Sequence, residues 1–262
     1  MTRITNGAPP SGSTPRSPIA GVAALAYGAF AYAYFLGTFV YFIGFLADAP
    51  FLPKTIDSGA AGPIWLAIVI NLALLGVFAV QHSVMARPAF KRAWTKIVPK
   101  PVERSTYVLA ATLAVVLLIA YWQPLPEPVW RLTDPVAAGV LWALFAAGWA
   151  ILLFSTFLIN HFELFGLNQT FNYFSGRTFE PPAFKTPSLY RFVRHPLYLG
   201  FIIAFWAGPE MSQGRLFFAI GATGYILVGI FFEERDLLAH FGETYRRYQQ
   251  SVPMLLPFGR RK

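Results

Sequence analysis

The path of the chain depends on residues 194–234, which read RHPLYLGFIIAFWAGPEMSQGRLFFAIGATGYILVGIFFEE. This stretch opens with an arginine and a histidine, closes with two glutamates, and is otherwise almost entirely apolar. Gly208-Pro209-Glu210 interrupts it, and a Gly-Pro pair is typical of a turn. The pattern predicts a short helical arm, a turn and a longer helix.

The rest of the chain is equally apolar. Of its 262 residues, 56% are hydrophobic and only 13% are charged, whereas soluble domains have about 25% charged residues. Four further stretches have the length of roughly 20 apolar residues that crosses a bilayer. They cover about 19–47, 63–86, 105–122 and 135–159. We therefore expect an all-α, polytopic integral membrane protein with four full transmembrane helices besides the 194–234 region.

Lysine and arginine alternate between rich and poor segments. There are six in 87–104, four in 160–195 and six in 235–262, but only one each in 48–62 and 123–134. Because positive residues concentrate in cytoplasmic loops, this alternation predicts that both termini are cytoplasmic. The net charge of +9 then reflects orientation in the membrane rather than nucleic-acid binding, since the basic residues do not gather on one polar face.

Residues 196–232 have cytoplasmic segments on both sides under this rule, so the chain must enter the membrane and return. A helical hairpin satisfies that requirement. Its first arm, of about a dozen residues, would reach only about 18 Å, which predicts a turn within the depth of the membrane.

The ends of the chain differ from its apolar middle. Residues 1–17 are rich in Ser, Thr, Pro and Gly and predict a disordered cytoplasmic leader, which leaves 18–262 as a single membrane-embedded domain. After the hairpin, apolar residues recur at spacings of three and four, as in an interfacial amphipathic helix with a bend at Gly242. They are Leu238, Phe241, Tyr245, Tyr248 and Val252.

Several kinds of chemistry are excluded by what the sequence lacks. The chain has no cysteine, so it has no disulfide, thiolate metal ligand or cysteine nucleophile. It also lacks the glycine-rich dinucleotide, phosphate-loop and serine-hydrolase motifs. No histidine pair has the spacing of a metal site on one helix, so we expect no bound metal.

The predicted hairpin brings Arg194 and His195 close to Glu233 and Glu234 at the cytoplasmic interface. Groups of both charge signs suit a zwitterionic ligand, whose carboxylate, ammonium and hydroxyl groups each need a partner. An arginine–glutamate pair that only clamps the two arms together would use the same residues.

A second polar cluster follows the fourth helix at the same face and contains Asn160, His161, Glu163 and Phe165. His161 could act as a general base oriented by Glu163, since its pKa can be tuned across neutrality. It could instead contact a lipid headgroup or cap a helix. His82 ends the second helix at this face too, and together with His161 it could ligate haem in a binding or carrier protein.

The C-terminal residues resemble the signature of the isoprenylcysteine carboxyl methyltransferases, which are integral membrane enzymes that use S-adenosylmethionine. The matching residues are Arg194-His195-Pro196, Tyr198, Gly200, Glu233-Glu234, Leu238, Phe241-Gly242, Tyr245, Tyr248 and Val252-Pro253. The resemblance implies a cofactor-binding part at 190–257. By position it assigns the cofactor to Arg194, His195, Pro196, Tyr198, Gly200, Glu233 and Glu234, with Tyr245 and Arg246 as further candidates.

Upstream residues are similar to the bacterial methanethiol S-methyltransferases of the same superfamily. They are Gln81 through Pro88, Glu103 through Tyr107, and Ser155 through Gly166. This similarity implies methylation of a small volatile thiol, methanethiol, to dimethyl sulfide in a bacterial inner membrane. Glu163 and Asn168 stand where Asp and Arg are expected in that family.

The expected partners are therefore the thiol and the lipid bilayer, with S-adenosylmethionine as cofactor and no nucleic acid or metal; the sequence does not determine the oligomeric state. We expect His161 and Glu163 to serve the thiol and Arg194 to supply positive potential, beside a substrate pocket of Asn160, Phe165 and His82. A carboxyl methyltransferase that acts on a prenylated or lipidic acid is the alternative in the same enzyme class.

Overall fold

The computed structural model describes residues 17–177 and 185–257, so the predicted leader lies outside the described residues except for Ser17. The helices are α1 (Pro18–Leu46), α2 (Ile64–Ala86), α3 (Pro88–Trp94), α4 (Lys100–Tyr121), α5 (Pro135–Ile159), α6 (His161–Leu164), α7 (Leu167–Phe174), α8 (Pro196–Trp206), α9 (Gln213–Phe241) and α10 (Glu243–Ser251). Two strands, β1 (Pro128–Arg131) and β2 (Glu210–Ser212), and a 3-10 turn (Ser188–Arg191) complete the described elements.

Five of these helices, α1, α2, α4, α5 and α9, are long and apolar enough to cross a membrane. Many of their large apolar side chains point outward, as expected where lipid replaces water around the protein. The prediction of a mostly helical integral membrane protein is confirmed. The shorter apolar helix α8 precedes α9.

The start of α4 differs from the sequence expectation. The helix begins at Lys100, about five residues earlier than the apolar stretch suggests. Pro101 does not delay it, because the first turn of a helix needs no N–H donor there. Glu103 lies in the same first turn, where a negative charge complements the helix dipole.

The architecture is consistent with the all-α expectation, and β1 and β2 add one short two-stranded antiparallel ribbon to the helices. β2 lies in the connection between α8 and α9, and β1 lies between α4 and α5. The indole of Trp130 also donates a 3.2 Å hydrogen bond to the Gly208 carbonyl. Sequence periodicity cannot reveal strands this short, since each pairs with a partner about 80 residues away.

The core between the helices is built from aromatic rings. Trp149 on α5 meets Phe39 and Phe42 of α1 and Phe201 and Phe205 of α8, with ring centroids 5.3–6.3 Å apart and nearly perpendicular planes. Such edge-to-face pairs add to the packing energy of large rings. They hold α1, α5 and α8 in one unit.

α5 and α8 approach each other closely at two glycines. A Cβ atom at Gly148 would lie 2.6 Å from the Ala204 nitrogen, and one at Gly200 would lie 2.6 Å from the Gly148 carbonyl oxygen. Small residues at a helix interface allow this backbone contact in membranes, where packing rather than water exclusion drives association. The contact sets the position of α8, which carries Tyr198.

Replacing Gly148 with alanine should force α5 and α8 apart and cost roughly 1–3 kcal/mol, the usual cost of overpacking. The melting temperature of the purified protein should fall. Gly139→Ala is the matched control on the same helix, because a Cβ there meets no atom within 4 Å among the described residues. Equal melting temperatures for the two variants would contradict the close contact.

Candidate functional site

The centre of the site is the Glu234 carboxylate near the end of α9. Arg194 Nε donates a 2.7 Å hydrogen bond to Glu234 Oε1, and His195 Nε2 lies 2.9 Å from the same oxygen. The side chains of Arg194 and Glu234 are only 12% and 15% exposed. A buried ion pair with several hydrogen bonds therefore joins the start of α8 to the end of α9.

The neighbouring carboxylate, Glu233, makes a different contact. The Tyr198 hydroxyl donates a 2.7 Å hydrogen bond to Glu233 Oε2. Within the described part of the chain, Glu233 Oε1 accepts no hydrogen bond, so this half-buried carboxylate keeps an acceptor available. Pro196 begins α8 and thereby sets the direction in which Tyr198 projects.

The segment after α9 folds back over Arg194 and His195. Gly242, with φ +55°, separates α9 from α10. Beyond α10, the backbone nitrogens of Arg194 and His195 donate to the carbonyls of Pro253 and Met254 at 2.8 and 3.1 Å. The Arg194 guanidinium also donates to the carbonyls of Gln249 and Val252.

Tyr245 on α10 is buried, and burial raises the pKa of its hydroxyl. The predicted cofactor residue beside it, Arg246, is exposed and lies 3.9 Å from Glu243. Gly200 lies in the contact between α5 and α8 and not among the charged groups. The structure thus brings Arg194, His195, Tyr198 and the two glutamates together, but not every predicted cofactor residue.

A further group of polar residues lies among α2, α4 and α9, and most of its members were not predicted as site residues from the sequence. The Tyr107 hydroxyl lies 2.9 Å from His82 Nε2 and 3.0 Å from Nδ1, and the Tyr225 hydroxyl lies 3.1 Å from Ser83 Oγ. Both tyrosines lie in the neighbourhood of Tyr198. The available signal was the presence of tyrosines inside apolar helices.

His161 and its neighbours form a separate cluster. His161 Nε2 lies 2.8 Å from the Tyr32 hydroxyl, and Nδ1 lies 2.7 Å from Thr156 Oγ1. Its ring stacks on Phe157 and has a centroid distance of 4.8 Å to Phe165. Only 4% of the residue is exposed, and burial lowers the pKa of the imidazole. The neutral ring is therefore favoured.

The loop after α5 carries the other members of this cluster. Asn160, with φ +99°, donates from its amide to Glu163 Oε2 at 2.7 Å. Burial raises the pKa of Glu163, while this hydrogen bond and the charge of Arg104 oppose that rise. Arg104 Nε donates to the Leu164 carbonyl at 2.7 Å, and its guanidinium lies 4.8 Å from the Tyr107 ring centroid. Arg104 thus links the two histidine clusters.

A cavity of about 250 Å³ lies at the opposite end of the helices and is separate from this site. The cavity is lined by the C-terminal end of α1 and by the N-terminal parts of α5 and α9, together with Asp48, Asp57 and Glu210. Burial raises the pKa of Asp57 to about 6. None of the predicted site residues lines it.

Known proteins match this chain over most of its length. A methanethiol S-methyltransferase of Mycobacterium tuberculosis is 55% identical over 235 residues, which is 90% of this chain and 96% of the relative. The chain belongs to the methanethiol S-methyltransferase family. Methanethiol S-methyltransferase 1 of Bradyrhizobium diazoefficiens is 54% identical and covers 90% of this chain, with 83% of the relative covered. The family resemblance expected from the sequence is confirmed.

Two further matches are broader. Residues 70–211, more than half of the chain, match the NnrU protein family. Nurim of Bos taurus is 33% identical over 223 residues, which cover 77% of this chain and 84% of nurim. No solved structure matches.

Glu234→Gln should destabilise the protein, because it removes the charge that Arg194 and His195 share. Breaking a largely buried pair should cost roughly 2 kcal/mol here, or about 4–8 °C in melting temperature for a chain of this size. Glu233→Gln is the matched control, since a glutamine oxygen can still accept from Tyr198. Melting curves that shift equally for both variants would argue against a structural role specific to Glu234.

Proposed function

We propose that this protein is a membrane enzyme that methylates methanethiol to dimethyl sulfide with S-adenosylmethionine. The observation that carries the proposal is the pair of glutamates at the end of α9, each bonded to the start of α8. The relatives named methanethiol S-methyltransferase support the substrate. S-adenosylmethionine supplies, when bound, a methyl group on a positively charged sulfur.

The chemistry of the donor set fits that cofactor. Glu233 keeps a carboxylate oxygen available for an ammonium or a ribose hydroxyl, and its negative charge favours a cationic ligand. Arg194 offers positive charge for a carboxylate, although much of its guanidinium is already bonded within the protein. We therefore assign cofactor binding to Arg194, His195, Tyr198 and both glutamates, with Tyr245 closing the site. Pro196 and Gly200 position α8. Arg246 stays a weaker candidate for the cofactor.

Two histidine clusters are candidates for the thiol side. The first contains His161, Glu163, Asn160 and Phe165, and the second contains His82 and Tyr107. A simple alkyl thiol is mostly protonated at neutral pH, since even a cysteine thiol has a pKa of about 8.5. A side chain that accepts the thiol proton would therefore raise the rate.

The membrane setting favours this reaction. A thiolate and a cationic donor become two neutral sulfur compounds, so charge disappears along the reaction, and a site with little water favours such a step. We place α8 and α9 as a hairpin that enters from the cytoplasm and returns to it, with both termini cytoplasmic and the protein in the bacterial inner membrane. The lysine and arginine distribution supports this orientation.

The reaction is tested by supplying purified protein in nanodiscs with methanethiol and S-adenosylmethionine and measuring dimethyl sulfide in the headspace. We expect dimethyl sulfide to form in proportion to the amount of protein. Transfer of a radiolabelled methyl group to a prenylated cysteine, with no dimethyl sulfide, would support the carboxyl methyltransferase instead. A Soret absorption band in the purified protein would support haem binding.

Glu233→Gln should weaken S-adenosylmethionine binding by about tenfold or more, because it removes a charge that faces a cationic ligand. Isothermal titration calorimetry measures this affinity. Glu163→Gln serves as the control, since Glu163 belongs to the other cluster and its loss should leave the affinity unchanged. Unchanged affinity in Glu233→Gln would remove this residue from the cofactor site.

A further inference from the structure

One face of α9 has an opening between two polar contacts. Tyr225, Gly229 and Glu233 are spaced four residues apart and therefore lie along one side of the helix. Tyr225 contacts Ser83 of α2, and Glu233 contacts Tyr198 of α8. A Cβ atom on Gly229, the residue between them, would meet no atom within 4 Å among the described residues.

Polar groups from four helices lie near this stretch of α9. His82 comes from α2, Tyr107 from α4, Tyr198 from α8 and Tyr225 from α9. The His82 ring lies 5.1 Å from the Tyr107 ring and 6.5 Å from the Tyr225 ring, and both tyrosines lie in the neighbourhood of Tyr198. Polar side chains that converge beside a gap in an otherwise apolar helix bundle are typical of a ligand site.

We propose that methanethiol binds in this opening beside Gly229 and that His82, rather than His161, accepts the thiol proton. The inference rests on the proposed function and deepens it. Gly229 then sets the size of the thiol that fits, and Tyr107 positions the His82 ring.

The two histidines differ in how their ring nitrogens are occupied. His161 has a separate hydroxyl partner on each nitrogen, and its ring is stacked on Phe157 at 4.2 Å with an angle of 4°. His82 has one hydroxyl, that of Tyr107, at nearly equal distance from both nitrogens. One hydroxyl cannot form aligned bonds with both nitrogens, so in the tautomer whose N–H donates to Tyr107 the other nitrogen of His82 can take a proton.

The step is balanced as follows. The thiol S–H bond breaks and its proton moves to a ring nitrogen of His82, while the thiol sulfur forms a bond to the donor methyl carbon. The electron pair of the broken carbon–sulfur bond stays on the donor sulfur, which leaves dimethyl sulfide and S-adenosylhomocysteine. His82 then releases its proton to water. The guanidinium of Arg104 lies 4.8 Å from the Tyr107 ring centroid, and its positive charge favours a thiolate beside it.

The test compares His82→Gln with His161→Gln on two thiols, methanethiol and 2,2,2-trifluoroethanethiol, whose electron-withdrawing group makes the thiol more acidic. His82→Gln should lower kcat for methanethiol by about 10²-fold, as for loss of a general base, and by much less for the acidic thiol. His161→Gln should change kcat by the same factor for both thiols. Calorimetry should give His82→Gln an unchanged affinity for S-adenosylmethionine.

Two results would overturn the assignment of His82. One is an equal loss for both thiols in His82→Gln, which indicates a purely structural role. The other is a loss in His161→Gln that shrinks with the acidic thiol, which identifies His161 as the base. If the wild-type protein forms no dimethyl sulfide at all, the proposed reaction fails, and this inference falls with it.

The position of the thiol is tested through Gly229. Gly229→Ala should lower kcat/KM for ethanethiol relative to methanethiol by about tenfold or more, the usual effect of one methylene in a tight pocket. Gly224→Ala is the matched control, because Gly224 is exposed on the same helix and its Cβ would also meet no atom within 4 Å among the described residues. The same ratio of ethanethiol to methanethiol in both variants would remove the thiol from this opening.

Discussion

The geometry of the site depends on one carboxylate, that of Glu234, which Arg194 and His195 share. A charge this far from water is costly unless opposite charges and hydrogen bonds surround it. The contact therefore holds the start of α8 against the end of α9, and the tail beyond α10 closes over the same arginine. The same side chains can therefore hold the helices together and form one wall of a ligand site. Of the two glutamates, Glu233 is the better candidate for ligand binding, because one of its carboxylate oxygens is available as an acceptor.

Two groups of interior polar residues lie on either side of Arg104. One group contains His161 and lies among aromatic rings of α1 and α5, where every polar atom of the imidazole has a partner. The other contains His82, Tyr107 and Tyr225 and lies next to Tyr198 and an open stretch of α9. A fully bonded histidine gives rigidity, whereas a histidine with a spare nitrogen can exchange a proton. This difference in hydrogen bonding is the basis on which we propose His82 rather than His161 as the proton acceptor.

The fold alone does not determine the reaction. About half of the aligned residues are identical between this chain and the methanethiol S-methyltransferases. Nurim is also similar over most of this chain, with a third of the aligned residues identical. One helical architecture therefore serves proteins with different names, and chemistry must be argued from particular side chains. In this chain, the side chains that we propose for the reaction lie where α2, α4, α8 and α9 meet at one end of the bundle. The charged cavity at the other end shares none of them.

The sequence by itself determined the membrane class, the positions of the long helices and the meeting of Arg194 and His195 with Glu234. These depend on local hydrophobicity and on charges at helix ends, which are legible along the chain. Only the tertiary structure decided that Gly200 serves a close contact with Gly148, that β1 pairs with β2, and that Tyr107 and Tyr225 join His82. It also decided that both nitrogens of His161 are bonded. Each of these facts depends on side chains or strands that are far apart in sequence, and single-chain periodicity carries no information about such partners.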